Sequence, residues 1–392
     1  PPVLGSLLDL QPAVLEHRVG VDLLEPAAGQ PLHTGRVEGQ PTLPLELQRE
    51  PLAVRTQADL AGDQQQPDDD EQQDGARRPL LDPHHAVERA LELVPRPDGE
   101  AARSRRVEAL GYSVATMPDH FTGQLAPMPA LQAVLDATST LRAGALVFDN
   151  DYKHPAILAK ELATMDVLSD GRVEIGLGAG WMISDYEQLG LAYDRPGVRV
   201  DRFVEGLAVL RGAMAPGPFD FVGEHYTIAG YDGLPKPVQS PCPPILIGGG
   251  GTRVLTIAAQ QADIVGVNGT LDAGVIGPDA ISTMTADAVV AKVAIVAEAA
   301  AAAGRLDDIE MNIRAFFVSV TDDRYGQLAK MAAMIGVEQE MIAASPFALI
   351  GSRSKIVEDL TARREQLGFS YIIIGAEDID SFAPVVNELT TA

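Results

Sequence analysis

The stretch that decides the fold is Val173–Trp181, with the sequence VEIGLGAGW. Its first six residues, Val173–Gly178, are typical of a buried strand, and the glycines at its end allow a tight turn. The preceding segment, Pro155–Leu168, is predicted to be a helix with proline in its first turn, where a missing N–H costs no hydrogen bond. A helix followed by a turn and an apolar strand is the repeating unit of an α/β fold.

The same alternation of strand and helix extends along the chain in both directions. The predicted strands are Tyr112–Met117, Arg142–Phe148, Val173–Gly178, Ile245–Ile247, Asp263–Asn268, Asn312–Val320 and Tyr371–Ile374. The predicted helices are Ala101–Leu110, Pro129–Thr140, Pro155–Leu168, Val198–Met214, one from Thr252, Ala286–Ala303 and Ser352–Leu367. Several strands are continuous apolar runs, as expected for parallel strands covered on both faces. Two architectures fit this pattern: a doubly wound sheet and a (β/α)8 barrel.

The positions of the polar and glycine-rich residues favour the barrel. They follow many strands instead of gathering at one point: Asp119-His120, Asp149-Asn150, Gly178 to Trp181, Gly248 to Gly251, and Asn268. A ring of functional loops at the carboxyl ends of the strands is the pattern of a TIM barrel. We therefore predict a TIM barrel over residues 101–392. Its first strand would precede Ala101, where no convincing strand is found, so we expect that strand to be missing or replaced.

Residues 1–100 differ in composition from the rest of the chain. They contain no Phe, Tyr, Trp, Ile, Met, Lys, Asn or Cys, and they hold 13 of the 28 prolines and 19 acidic against 8 basic residues. Such a segment cannot bury much apolar surface, so it is predicted to be a disordered extension. A second interpretation is favoured by the absent residue types, since Phe, Tyr, Ile, Met, Lys and Asn have AT-rich codons. Their joint absence suggests a mistranslated segment, in which GC-rich DNA is read in a wrong frame.

The overall composition excludes several classes of protein. A net charge of −25 argues against a nucleic-acid surface and against binding to anionic membranes. One cysteine cannot form an internal disulfide, and no apolar stretch is long enough to span a bilayer. We expect a cytoplasmic protein whose partner is a small-molecule substrate, and a homodimer is the assembly we consider.

His120 is the candidate catalytic residue. It follows a predicted strand directly after Asp119, where an imidazole can donate or accept a proton. The alternative is a hydrogen-bonded structural histidine, and Asp119 can either bind a cofactor or cap the next loop. No two histidines have the spacing of metal ligands on a helix, so no metal is expected.

Two glycine-rich turns are the other candidate features. One is Gly178-Ala179-Gly180, and the other is Gly248-Gly249-Gly250-Gly251 before a helix, with Arg253 nearby. Exposed backbone N–H groups in such turns can approach a phosphate or a ring closely. One glycine turn alone indicates tight packing, whereas two at one end of a barrel favour a phosphate-bearing cofactor. Neither is a Walker loop or a dinucleotide fingerprint.

From about residue 103 to 390 the chain resembles the luciferase-like monooxygenase superfamily, specifically its actinobacterial oxidoreductases that depend on the deazaflavin coenzyme F-420. The segments that carry the resemblance are, in order, Glu108 to Tyr112, Pro118 to Phe121, His154-Pro155, Ala163 to Asp166, Ser169 to Arg172, Gly176 to Trp181, Pro244 to Gly251 and Ala262-Asp263. The resemblance implies a barrel that binds F-420 or FMN at the carboxyl ends of its strands. It also places His120 beside the hydride-carrying edge of the cofactor.

The resemblance assigns cofactor-binding positions as well. Leu146, Val147 and Phe148 align with a strand end that carries a bulge and a non-prolyl cis peptide supporting the ring. Trp181 can cover the ring or line the substrate pocket, and core packing is the alternative. The sugar-phosphate dehydrogenases of this class carry a glutamate at the position of Trp181. Glucose 6-phosphate is therefore not expected as the substrate.

The function that the sequence favours is hydride transfer between F-420 (8-hydroxy-5-deazaflavin) and an unidentified organic substrate. The first alternative is an FMN-dependent monooxygenase that uses reduced flavin and O2. The second is a barrel without catalytic activity.

Overall fold

A computed structural model of the 392-residue chain describes residues 17–23, 97–121, 123–271, 274 and 278–391. The strands in these ranges are β1 (Arg18–Asp22), β2 (Val114–Met117), β3 (Arg142–Ala145), β4 (Phe148–Asp149), β5 (Val173–Gly178), β6 (Phe219–Val222), β7 (Thr227–Tyr231), β8 (Ile245–Gly249), β9 (Ile264–Val267), β10 (Glu310–Arg314), β11 (Phe317–Val320), β12 (Ala348–Gly351) and β13 (Phe369–Gly375). Eight of them form a parallel ring in the order β3-β2-β1-β13-β10-β9-β8-β5, which the pairing of β3 with β5 closes. The predicted TIM barrel is confirmed.

Helices surround the ring. They are α1 (Pro97–Ala109), α2 (Pro127–Ala137), α3 (Pro155–Leu168), α4 (Ile183–Leu189), α5 (Pro196–Met214), α6 (Thr252–Gln261), α7 (Pro278–Ser282), α8 (Ala286–Ala302), α9 (Arg324–Ile335), α10 (Gln339–Ala344), α11 (Arg353–Leu367) and α12 (Ile379–Thr391). None of these described helices is long and apolar enough to cross a bilayer.

The expectation that the barrel lacks its first strand is wrong. Arg18–Asp22 pairs in parallel with β13 on one side and with β2 on the other, and so fills the gap in the ring. Its Val19 and Val21 are buried against the helices, whereas Arg18 and Asp22 form ion pairs with residues of other ring strands. The strand has only five residues, with two valines around Gly20 and a charged residue at each end, so the sequence shows no long apolar run there.

The barrel therefore does not begin at residue 101. It includes residues 18–22, and α1 begins at Pro97, four residues before the predicted boundary. The predicted disorder or mistranslation of the remaining N-terminal residues, 1–16 and 24–96, lies outside the described residues.

Side chains of the ring alternate between two apolar regions. One set, including Val21, Ile175 and Ile372, packs against the helices in the main core. The other set fills the inside of the barrel: Val114, Leu246, Ile264, Tyr371 and Ile373, with Leu146 and Val147 partly buried against them. This period of two is what a parallel barrel requires of its strands.

Two predicted strands are interrupted. The segment Arg142–Phe148 divides into β3 and β4 around a cis peptide bond between Leu146 and Val147. The segment Asn312–Val320 divides into β10, which stays in the ring, and β11, which pairs with β12 outside it. Both interruptions fall inside apolar runs, where the sequence pattern carries no sign of a break.

Candidate active site

His120 lies just beyond β2, at the carboxyl end of the barrel. Its Nδ1 is 2.7 Å from Oδ2 of Asp185, and the backbone N–H of Phe121 donates to Oδ1 of the same carboxyl group at 3.3 Å. The Asp185 side chain is fully buried, while the His120 side chain keeps 17% of its surface exposed. Nδ1 is therefore occupied, and Nε2 is the ring nitrogen available to a bound molecule.

Two aromatic side chains fix the surroundings of His120. The hydroxyl of Tyr152 donates to Oδ2 of Asp185 at 3.1 Å. The indole ring of Trp181 stands perpendicular to the imidazole, with 5.6 Å between the ring centroids. Burial, together with the nearby carboxylates Asp149 and Asp185, raises the pKa of Tyr152, so this hydroxyl keeps its proton and acts as a donor.

Asp119 turns away from the imidazole toward the neighbouring strand. Its Oδ2 accepts a hydrogen bond of 3.2 Å from the backbone N–H of Asp149. Burial raises the pKa of the Asp119 carboxyl, and this N–H opposes the shift. Asp119 thus joins the ends of β2 and β4, and its role toward a cofactor stays a prediction.

A second group of buried carboxyls lies where β4 ends. The Tyr186 hydroxyl is 3.0 Å from Oδ2 of Asp149 and 3.1 Å from Oδ2 of Asp151. Arg202 pairs with Asp151 at 2.9 Å. Burial raises the pKa of Asp149 to about 7, to which its neighbour Asp151 contributes by like charge. This carboxyl can therefore hold a proton near neutral pH.

The bulge between β3 and β4 has the non-prolyl cis peptide that the family resemblance implied, at Leu146–Val147. Val147 lies so close to β5 that a Cβ at Gly178 would be 2.7 Å from its Cγ2, and it also touches Gly248. Phe148 is buried in the core between strands and helices, so its ring does not face the barrel mouth. Leu146 and Val147 are the apolar side chains of the bulge that line the inside of the barrel.

A glycine is required at position 180 both by the backbone conformation and by the packing around it. Its φ of +76° is one that side-chain-bearing residues rarely adopt, and a Cβ there would meet the Tyr186 hydroxyl and the Asp149 carboxylate. Ala179, between the two glycines of this turn, packs partly against the main core. The first glycine-rich turn therefore has a clear packing role.

The second turn, Gly248 to Gly251, leads from β8 into α6. A Cβ at Gly249 would collide with Val254, and one at Gly250 would collide with the backbone oxygen of Gly269. Gly251, the N-cap of α6, has open space around its Cβ position. Among the described residues, no side chain caps this ten-residue helix, and Thr252 and Arg253 are exposed, so its first N–H groups offer the donors that phosphate binding requires.

Arg253 forms an exposed ion pair with Asp201 at 2.5 Å. Its charge is therefore already paired, and it adds less to an anion site at α6 than the sequence suggested.

The structure brings several of the predicted site residues together. His120 contacts Trp181, Asp119 accepts a hydrogen bond from Asp149, and Val147 lies close to Gly178 and Gly248. Sequence reasoning missed Asp185, Tyr152, Tyr186 and Asp151, which hold this group in place. Asp185 and Tyr186 lie in α4, shortly after Trp181. The signal available in the sequence was an acidic residue four positions after that tryptophan. Among the described residues, no group of three His, Cys, Asp or Glu side chains is placed to hold a metal ion.

The model of the luciferase-like monooxygenase family matches residues 78–371, well over half of the chain. The chain therefore belongs to the luciferase-like monooxygenase family.

The names of the curated relatives mention two different cofactors. The chain is 30% identical over 143 residues to an FMNH2-dependent dimethylsulfone monooxygenase of Pseudomonas putida, covering 36% of this chain and 39% of that protein. It is 28% identical over 169 residues to an F-420-dependent glucose-6-phosphate dehydrogenase of Amycolatopsis mediterranei, covering 40% of this chain and 49% of that protein. The chain thus spans less than half the length of these curated relatives.

The fold is also similar to that of a solved structure, the coenzyme F-420-dependent tetrahydromethanopterin reductase from Methanopyrus kandleri. The TM-score is 0.60 with 19% sequence identity, covering 75% of this chain and 96% of that one. At this identity the likeness shows the barrel fold alone.

Proposed function

We propose that the protein is an oxidoreductase that transfers a hydride between coenzyme F-420 and a small neutral organic substrate, with His120 exchanging the accompanying proton. The observation that carries the proposal is the His120–Asp185 pair beside Trp181 at the carboxyl end of the barrel. F-420, when bound, supplies the hydride chemistry, and the protein supplies position and proton transfer.

The residues present fit a flat ring that carries a phosphate. Leu146 and Val147 offer an apolar surface at the bulge, where both side chains are only partly buried. The open N–H groups after Gly251 offer a place for the phosphate at the start of α6. Residues 146–147 would hold the ring and residues 250–252 the phosphate.

The imidazole of His120 is suited to proton exchange because only one of its nitrogens is engaged. Nδ1 is held by Asp185, so a substrate oxygen can meet Nε2. The indole of Trp181 stands edge-on against the imidazole. Such a group returns or removes the proton that balances hydride transfer at a carbon–oxygen bond.

The charges around His120 favour a neutral substrate. Asp119, Asp149 and Asp185 lie close by, and in the described part of the chain none of the three forms an ion pair with a lysine or arginine. A phosphate group next to His120 would lie beside these three acidic side chains, none of which supplies a cation to bind an anion. This agrees with the tryptophan at position 181, where F-420-dependent sugar-phosphate dehydrogenases carry glutamate.

An FMN-dependent monooxygenase is the second candidate. It is favoured by the identity of 30% to the FMNH2-dependent relative. The same bulge and helix start would hold either ring system, because FMN also combines a flat tricycle with a phosphate.

Cofactor titration distinguishes the candidates. The full-length protein is titrated with oxidised F-420 and, separately, with oxidised FMN, following the fluorescence of each cofactor. We expect F-420 to bind at least about tenfold more tightly than FMN, a difference of about 1.4 kcal/mol. Tight binding of FMN without binding of F-420 would refute the proposal in favour of the monooxygenase, and binding of neither would support a barrel without catalytic activity.

A further inference from the structure

Asp185 is a fully buried carboxyl group that is held entirely by hydrogen-bond donors. Oδ2 lies 2.7 Å from Nδ1 of His120 and 3.1 Å from the Tyr152 hydroxyl, and Oδ1 accepts from the N–H of Phe121 at 3.3 Å. In the described part of the chain, no lysine or arginine forms an ion pair with it. A buried carboxyl is costly unless its oxygens are satisfied, so these three contacts account for its presence.

The contacts define which partner carries the proton. Both oxygens of Asp185 already accept a hydrogen bond from a group that can only donate here, the Phe121 N–H and the Tyr152 hydroxyl, whose pKa is raised. The remaining contact, to His120, is then best satisfied by an N–H on Nδ1. A neutral imidazole with its hydrogen on Nδ1 has its lone pair on Nε2.

The segment that follows β5 contacts the imidazole of His120 through two of its side chains. Trp181 and Asp185 both follow β5, and they reach His120 from two directions, the indole edge-on and the carboxyl at Nδ1. Asp185 binds the backbone of Phe121 too, so it fixes the residue after His120 as well as the ring.

We propose that Asp185 is the positioning residue of the site: it holds His120 in the tautomer protonated on Nδ1 and thereby makes Nε2 the atom that exchanges a proton with the substrate. The catalytic meaning of this tautomer rests on the proposed function. When Nε2 gains a proton, the adjacent carboxylate stabilises the resulting imidazolium. Tyr152 supports Asp185 without touching the imidazole by hydrogen bond.

The tautomer can be measured without cofactor or substrate. Full-length protein labelled with 15N-histidine gives multiple-bond 1H–15N correlations that distinguish the two tautomers, and His120→Gln identifies the signals of His120. At a pH where the ring is neutral, we expect the wild-type protein to show hydrogen on Nδ1. A wild-type ring with its hydrogen on Nε2 would overturn the proposal whatever the variants do.

Asp185→Asn is the informative substitution, because an amide can donate to Nδ1 and then favours hydrogen on Nε2. We expect it to shift His120 toward that tautomer and to lower kcat by about 10- to 100-fold with little change in KM, as for other groups that orient a histidine. Tyr152→Phe is the matched control: it removes another donor to the same oxygen and is expected to leave the tautomer unchanged. An Asp185→Asn protein that melts cooperatively and keeps the wild-type tautomer would contradict the assignment.

The outcomes separate this proposal from the proposed function. Hydrogen on Nδ1 in the wild-type protein, lost in Asp185→Asn, supports the positioning role even if neither F-420 nor FMN binds. The reverse result, F-420 binding with hydrogen on Nε2, would leave the proposed function standing and remove Asp185 from it.

Discussion

Both ends of the barrel bury charged side chains, but the partners that compensate these side chains differ. At the amino-terminal end, Arg18 contacts both Glu174 and Glu310, and Arg142 pairs with Glu174 at 2.7 Å. Tyr371 completes this network with a hydrogen bond to Glu174. Every buried carboxylate in the network therefore has an arginine partner.

At the carboxyl-terminal end, Asp22 and Asp151 pair with Arg314 and Arg202, but three other carboxyl groups are held by other means. Asp119, Asp149 and Asp185 are satisfied by backbone N–H groups, tyrosine hydroxyls and His120. Burial raises the pKa of Asp149 to about 7 and also raises the pKa of Asp119. In TIM barrels generally, the amino-terminal end serves stability and the carboxyl-terminal end holds the functional site, and the two ends of this barrel differ in that sense.

The largest expected effect on stability is at the amino-terminal end. Arg18→Met leaves Glu310 without its cation and Glu174 with only Arg142, so we expect a loss of about 3–5 kcal/mol in the free energy of unfolding. Denaturant titration measures it. The matched control is Arg106→Ala, which removes an exposed ion pair with Asp380 and is expected to cost less than about 1 kcal/mol. Equal losses in the two variants would show that β1 is not held by a buried network.

Most of the barrel, but not β1, could be predicted from the sequence. The barrel, seven of its eight ring strands and the candidates His120 and Trp181 were predictable, because apolar strands and polar strand ends leave local patterns. β1 was not, since Arg18 is compensated by Glu174 and Glu310, which lie 156 and 292 positions away, and Asp22 by Arg314, 292 positions away. Asp185 and Tyr152 were missed for the same reason: Asp185 acts on His120, 65 positions away, and Tyr152 acts on Asp185, 33 positions away.

The next effect is a pH dependence at the carboxyl-terminal end. Burial raises the pKa of Asp149 from its usual value of 3.8 to about 7, so between these values the native state keeps a proton that the unfolded state has released. Stability therefore falls as pH rises through this window, by at most about 4 kcal/mol. The Asn side chain of Asp149→Asn cannot ionise, so this variant should not lose stability with rising pH in this way. The free energy of unfolding, measured from pH 4 to 8, will show the difference.

The control for this prediction is Asp307→Asn, which removes the same charge from an exposed position outside the site. If Asp149→Asn and wild type had parallel stability profiles across the window, the buried proton at this end of the barrel would be excluded.

The smallest effect concerns the packing of the same carboxyl. Gly180→Ala must accept a φ of +76° and also displace the Tyr186 hydroxyl, whereas Gly190→Ala has a φ of +67° and open space. We expect a loss of about 1 kcal/mol for Gly190→Ala and of about 2–3 kcal/mol for Gly180→Ala. Thermal unfolding compares the two directly, and equal losses would mean that Tyr186 and Asp149 are not packed tightly against this turn.

The most direct test of the central claim, a hydride-transfer site served by His120, is an anaerobic assay of the full-length protein. Oxidised F-420 is mixed with a panel of neutral secondary alcohols, and reduction of the cofactor is followed by its loss of absorbance. We predict reduction with at least one alcohol, without O2, and a decrease in rate of about 10²- to 10⁴-fold in His120→Ala with cofactor binding retained. No reduction with any alcohol, together with binding of FMN but not of F-420, would contradict the account.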